Sequence, residues 1–370
     1  MNVYLDNNAS TPIAPEVRDA MLPYLTESFG NPSSSHWAGK PAKEAVERAR
    51  RQVADLLGCS PDEIVFTSGG TESNNHALKG VFFARRRRGH IITTQIEHPA
   101  IIRPCRFLEG LGADVTYLPV DSAGLVNPGD LRDAIRPDTI LVSVMYANNE
   151  VGTIEPIEAI GRVCREHGVL FHTDAAQAIG KIAAKVDDLG VDLLSIAGHK
   201  LYAPKGVGAL YVREGTSIDP FMHGAGHERG RRAGTENVPL DVGLGAACAL
   251  ADDLGWTQAL RELRDRFWLA LKERFGEAVV LNGHPEQRLP NTLSVAFVGH
   301  LGADVLASMP EVAASTGSAC HSGQITLSPV LEAMGVPPEV GRGTIRFSLG
   351  RDTHREQLEY AVALLGERLG

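Results

Sequence analysis

The chain has 370 residues, 43% of them hydrophobic and 22% charged, with a net charge of −9. That composition suits an ordinary globular protein with room for two domains, and the acidic balance argues against nucleic acid as a main partner. No stretch reaches the roughly 20 apolar residues of a membrane helix. The opening ten residues carry Asp6 and three asparagines, a pattern that predicts no signal peptide. Cys59, Cys105, Cys164, Cys248 and Cys320 are scattered without a Cys-x-x-Cys pair. They argue against a zinc site or a disulfide framework and point to a reducing cytoplasm.

In chain order, a short extended piece around Tyr4 and Leu5 runs into a turn-rich loop at residues 6–12. A helix is expected over 15–26. Another is expected over 40–57, where Ala42, Ala45, Val46, Ala49, Val53, Leu56 and Leu57 recur at helical spacing. From 63 to 212 short apolar runs alternate with helical patterns such as 72–84 and 157–167. The runs are 64–67, 91–94, 114–118, 139–146, 169–173, 192–196 and 208–212. Such alternation predicts an α/β protein whose mostly parallel seven-stranded sheet is covered on both faces. Helices follow near 238–254 and 257–274. After them the pattern changes to short strands at 281, 291–297 and 345–348, with helices near 303–308, 329–334 and 354–365. The expected division is a large domain over residues 16–250, and a smaller α+β domain from residues 1–15 and 251–370.

Ligands of such sheets bind beyond the carboxyl ends of the strands, so the residues after each run are the candidates. The run at 192–196 stops at Gly198 and leads into His199 and Lys200. A lysine buried past the end of a strand has its pKa lowered and can act as an amine nucleophile, as in a Schiff base with pyridoxal phosphate (PLP), while a solvated lysine on a loop is the other reading. After 169–173 comes Asp174, with Gln177 three residues on. A carboxylate there can keep a pyridine nitrogen protonated, while a plain helix cap is the other reading of a lone aspartate. After 64–67 come Ser68, Gly69, Gly70, Thr71 and Glu72, either a phosphate cradle at a helix N-terminus or an ordinary capped start. After 91–94 comes His98, either a surface turn or a ring set against a flat ligand and placed for proton transfer. Asn148 and Asn149 follow 139–146 and form a turn or aim hydrogen bonds at a ligand. Cys320 lies in a small-residue loop, 315–323, that exposes a thiol, whereas Cys164 and Cys248 fall in helix stripes and read as inert core. Arg346, inside a predicted strand, needs a carboxylate, from a substrate or from the protein itself. The basic run Arg85–Arg88 reads as a solvated helix end.

Together these residues resemble the class V PLP enzymes, and among them the cysteine desulfurases and the related selenocysteine lyases. The resemblance runs through 5–12, 30–34, 67–75, 97–98, 148–153, 172–177, 198–200, 223–235, 317–320 and 345–351, in the family's order. It implies a fold-type I architecture and a homodimer. Lys200 would carry PLP, Asp174 would pair its ring nitrogen and Gln177 its phenolic oxygen. His98 would stack on the ring and move protons. Gly70, Thr71 and His199 would bind the phosphate, with Thr235 reaching the phosphate of the other subunit. Asn149 and Arg346 would orient the substrate, and Cys320 would take its sulfur. The implied activity converts L-cysteine to L-alanine, with a persulfide on Cys320 handed to a sulfur-acceptor protein, an iron–sulfur scaffold being one such partner. Three departures stand out. Many relatives have serine where this chain has Ala197. His321 follows the cysteine, and with Ala197 it leans toward selenocysteine release as the alternative. The chain ends at Gly370, without the extra tail by which iron–sulfur desulfurases often dock a scaffold. An ordinary class V aminotransferase, indifferent to Cys320, and a binding protein that has kept the fold without activity are the remaining rivals.

Overall fold

Seven short runs rich in apolar and β-branched residues pair into one sheet. Its order is Ile64–Thr67, Gly208–Val212, Leu193–Ala197, Leu170–Asp174, Thr139–Ser143, His90–Thr94 and Asp114–Leu118. Gly208–Val212 runs antiparallel to both its neighbours and every other pair is parallel. This computed structural model describes residues 1–321 and 324–369; the side chains of residues 318–326 lie outside the described residues. Parallel strands need both faces covered. Helices Gly39–Leu57, Ile157–His167 and Val238–Ala251 contribute to the core on one side, and Gly70–Ala84 and Pro99–Glu109 to the core on the other.

A polar rung crosses three neighbouring strands. Ser143 Oγ lies 2.9 Å from His172 Nδ1, and His172 Nε2 lies 3.0 Å from Ser195 Oγ. Burial holds the His172 ring neutral by pulling its pKa down to about 3. With both ring nitrogens satisfied, the rung opposes any slip of the strands that end at Asp174 and Ala197.

A second sheet has the order Ser315–Thr316, Thr344–Ser348, Thr292–Phe297 and Val279–Asn282, all antiparallel. Helices Gly255–Phe275 and Arg355–Leu369 pack with it in a separate core. Val3 and Leu5 belong to this core, and Val3–Tyr4 pairs in parallel with Val312–Ala313.

Three local expectations change. The strand expected over 139–146 ends at Ser143: Val144 N and Tyr146 N still donate to His172 O and Asp174 O at 3.1 and 2.9 Å, but Met145 N between them donates to the buried Glu97 Oε1 at 2.8 Å instead of to a strand. Pro99–Glu109, for which no element was expected, is a helix with Pro99 in its first turn and His98, read as a turn or a ring against a ligand, as its N-cap. The segment 315–323 is not simply a loop. Ser315–Thr316 joins the edge of the second sheet, and Ser318–His321 pairs antiparallel with Gln324–Leu327, with Cys320 opposite Ile325. Ser and Thr at 315 and 316 suit a pleated edge as well as a turn, so composition there does not discriminate.

The loop after Phe221 is pinned from within. Glu228, in a left-handed backbone conformation, is held by Arg50 Nη1 and Nη2 at 2.7 and 2.8 Å and by Phe66 N at 2.8 Å. Both charged side chains are buried. Removing one partner strands the other, so Arg50→Ala is expected to lower stability by about 3–5 kcal/mol. The midpoint of urea unfolding measures the loss; an unchanged midpoint refutes it.

Candidate active site

The strand ends converge on a cavity of about 520 Å³. Lys200 closes the single turn Gly198–Lys200 after strand Leu193–Ala197, and Asp174 ends the adjacent strand. Adjacent parallel strands are about 5 Å apart, so both side chains reach the same space. Gly70, Thr71, His98, Asn149, Asp174, Gln177, His199, Lys200 and Arg346 all line it. Thr235 is exposed and does not line this chain's cavity. The Cys320 side chain lies outside the described residues. Its strand follows Gly317, whose N–H donates to Thr344 O at 3.0 Å, beside the strand of Arg346.

Lys200 Nζ donates to the backbone carbonyls of Asn8 and Ala9. Burial lowers its pKa to about 8; Arg346 adds to the effect, and Asp174 and Asp6 oppose it. Because the unfolded lysine titrates near 10.5, the unfolded chain binds more protons between those values. The protein without cofactor therefore gains stability as pH rises from about 8 toward 10.5. Asp174 is buried, and its two oxygens accept from Asn74 Nδ2 at 2.6 Å and Ala176 N at 3.0 Å. His98 Nδ1 accepts from Ala100 N at 3.0 Å, which places the proton of the neutral ring on Nε2. Burial lowers the His98 pKa, with Lys200 acting in the same direction and Asp174 against it. Behind His98, buried Glu97 accepts from Thr94 Oγ1 and Met145 N, and burial raises its pKa well above the carboxylate range.

The cradle at Gly70 has a structural reason. The helix Gly70–Ala84 starts without a side-chain cap, so first-turn N–H groups remain open to an anion. Gly69 stands at φ +140°, a conformation side chains disfavour. A Cβ on the facing Gly208 would sit 2.7 Å from Gly69 Cα. Lys205 lines the same cavity. His199 is kept neutral, near pKa 4, by burial and by Lys200, Lys205 and Lys181. Ala197 presses its methyl toward Gly70, where an added Cβ would meet it at 3.1 Å.

Arg346 has an internal carboxylate: Nη2 donates to Asp6 Oδ1 at 2.7 Å and to Ser315 Oγ at 2.9 Å, while Nη1 donates to Asn149 O at 2.8 Å. Its Nε is buried without a partner among the described residues. Cys105, Cys164 and Cys248 are buried with their thiols pushed up to about 12, which makes them inert core.

Sequence reasoning passed over Asn74 and gave Asn8 no role. Asn74 stands three residues after Thr71 on the helix, a spacing that was available. Asn8 acts through its backbone carbonyl, which no side-chain motif reveals.

The residues fit PLP. An open helix N-terminus suits a phosphate, a buried carboxylate suits a ring nitrogen, and an amine of lowered pKa suits an aldehyde. Asn74 Oδ1, on the same lining, is a buried acceptor without a partner among the described residues. The fold and this residue set define a fold-type I PLP enzyme. The family model for aminotransferase class-V matches residues 3–361, and the chain belongs to that family. Over 368 residues it is 50% identical to the cysteine desulfurase IscS of Dictyoglomus turgidum, covering 98% of this chain and 93% of that protein. A solved NifS-like protein superposes with a TM-score of 0.93 at 40% identity, covering 100% of this chain and 99% of that one. SspA, solved in complex with cysteine, gives 0.84 at 41% identity over 94% of this chain and 98% of its own.

Proposed function

We infer that this chain is a PLP-dependent cysteine desulfurase that converts L-cysteine to L-alanine and leaves the sulfur as a persulfide on Cys320. The observation that carries the reading is near-complete coverage, at half identity, by a relative of that name. The relatives favour cysteine over the selenocysteine suggested by Ala197 and His321.

Bound PLP supplies an electron sink that stabilises negative charge on the substrate carbons. The chain's own groups do the rest. Lys200, neutral in a useful fraction near its pKa of about 8, anchors the cofactor and moves the α-proton. Asp174 holds the ring nitrogen protonated, and neutral His98 stacks on the ring with one N–H to offer. Gly70, Thr71 and His199 bind the phosphate, and Gln177 meets the phenolic oxygen. Arg346 and Asn149 take the substrate carboxylate, with Arg346 shifting part of its bonding from Asp6. Cys320 thiolate attacks the substrate sulfur. A sulfur–sulfur bond forms, the carbon–sulfur bond breaks, and its electron pair leaves with carbon, which is then protonated to alanine.

The working unit is a homodimer in which Thr235 serves the phosphate of the other copy. Thr235 is exposed here, and Phe29 and Trp37 stand 75% and 80% exposed, large apolar side chains left for a second copy to cover. The proposed division is a large domain over residues 16–250 and a small one from residues 1–15 with 251–370; the separate core around the second sheet, which takes in Val3 and Leu5, supports it. The setting is cytoplasmic; among the described residues no helix is long and apolar enough to cross a membrane. The sulfur leaves to an acceptor protein.

Mass spectrometry of the protein after treatment with L-cysteine tests the reading. One added sulfur on the Cys320 peptide is expected. Alanine formed with no sulfur on that peptide overturns it.

A further inference from the structure

Lys181 is 5% exposed and forms no ion pair among the described residues. Burying an ammonium without a counterion is costly, and nothing in the fold of the 175–182 turn requires a charge. Burial, with Lys200 and Arg346 nearby, lowers its pKa to about 7. The ammonium is spent on one residue. It donates to the Gln177 backbone carbonyl at 2.9 Å and to Gln177 Oε1 at 3.2 Å. Lysine has donors only, so the side-chain oxygen of Gln177 must face it. The amide is thereby held in one of its two orientations, with Nε2 away from Lys181. One Nε2 proton goes to Asn8 O at 2.9 Å, the same carbonyl that accepts from Lys200 Nζ. The other is left for the cavity that Gln177 lines.

We propose that Lys181 is a positioning residue for the cofactor: it locks the Gln177 amide so that an N–H group faces the bound PLP, where a donated hydrogen bond draws negative charge from the ring oxygen and so weakens proton binding at the nitrogen of Lys200. The bland alternative is that Lys181 only braces the turn through the Gln177 backbone carbonyl. A lysine would be an expensive brace, since a capping water or hydroxyl meets a carbonyl without a buried charge. The side-chain bond to Oε1 also has no part in bracing the backbone. The proposal rests on the PLP reading above.

The test uses full-length Lys181→Met, Gln177→Leu and the double variant, each titrated with PLP. Two quantities are read: the dissociation constant for PLP, and the pH midpoint of the visible band of the bound cofactor. The groups facing Lys200 or Lys181, namely Arg346, Asp174, Asp6, His98 and His199, are unchanged in every variant. Lys181→Met is expected to raise the pH midpoint by about one unit, a tenfold change in proton affinity, and to weaken PLP binding several-fold. The loss of PLP affinity should shrink to less than about half in the Gln177→Leu background, because the two residues act as one unit. A turn brace alone would lower the thermal midpoint without moving the band. A midpoint within about 0.2 unit of wild type, or affinity losses that simply add, overturns the proposal. If Lys181→Met does not fold, Lys181→Gln is read by the same criteria; it is neutral and allows both amide orientations. A wild-type protein that forms no visible band with PLP overturns the cofactor reading itself. A normal wild-type band with an unshifted variant overturns this inference alone.

Discussion

Lys200→Ala is expected to abolish turnover of cysteine, with a loss of at least about 10⁴-fold, the upper end of what one proton-transfer group contributes, because anchoring is lost as well. The cofactor should still bind, since Asp174 and the helix start at Gly70 remain, but borohydride treatment should leave no pyridoxyl adduct on the 198–205 peptide. The geometry explains the choice of residue. Lys200 is the amine at the end of strand Leu193–Ala197, tethered by the Asn8 and Ala9 carbonyls, and burial keeps its pKa near 8. Of the other amines nearby, Lys181 is committed to Gln177, and Lys205 lines the cavity from the loop before strand Gly208–Val212, not from the carboxyl end of a strand. Turnover above about 1% of wild type in Lys200→Ala would sink the assignment.

Cys320→Ser is expected to remove persulfide formation, and with it at least about 99% of alanine release, while leaving the visible band of the bound cofactor unchanged. Serine keeps the size of the side chain but not its acidity. A hydroxyl is not ionised near neutral pH, and it cannot accept sulfur reversibly. The other cysteines offer no substitute. Cys105, Cys164 and Cys248 are buried and held as neutral thiols, and Cys59 is pushed up to about 12 as well, first by burial. An ordinary aminotransferase would not notice the change. Alanine production from cysteine at full rate by Cys320→Ser would overturn the role given to Cys320.

The parts legible in advance were those written in local pattern. Seven apolar runs with helical intervals specify a parallel sheet, because burial on both faces demands continuous apolar strands and a crossover demands a helix. Lys200, Asp174, His98 and Gly70 were legible as positions because each follows a run, and the open end of such a sheet is where ligands sit. The helix Pro99–Glu109 was hidden because prolines at its start and inside it, Pro99 and Pro104, lower helix propensity. The end of strand Thr139–Ser143 was hidden because the group that interrupts its ladder, Glu97, is 48 residues away in sequence. Arg346 was legible as an arginine needing a carboxylate. That Asp6 is an internal partner, 340 residues away, was not.

The sequence by itself determined the class of fold and the order in which the chemistry-bearing residues leave their strands, since both depend on short-range periodicity and on residue type; the family was legible through the resemblance of its motif segments. The tertiary structure alone decided how those residues meet. It set the Asn8 carbonyl between Lys200 and Gln177, Asn74 against Asp174, and Lys181 behind the Gln177 amide. These contacts join segments far apart in the chain, through backbone atoms or buried side chains whose pairing follows from packing and desolvation. No local pattern encodes them.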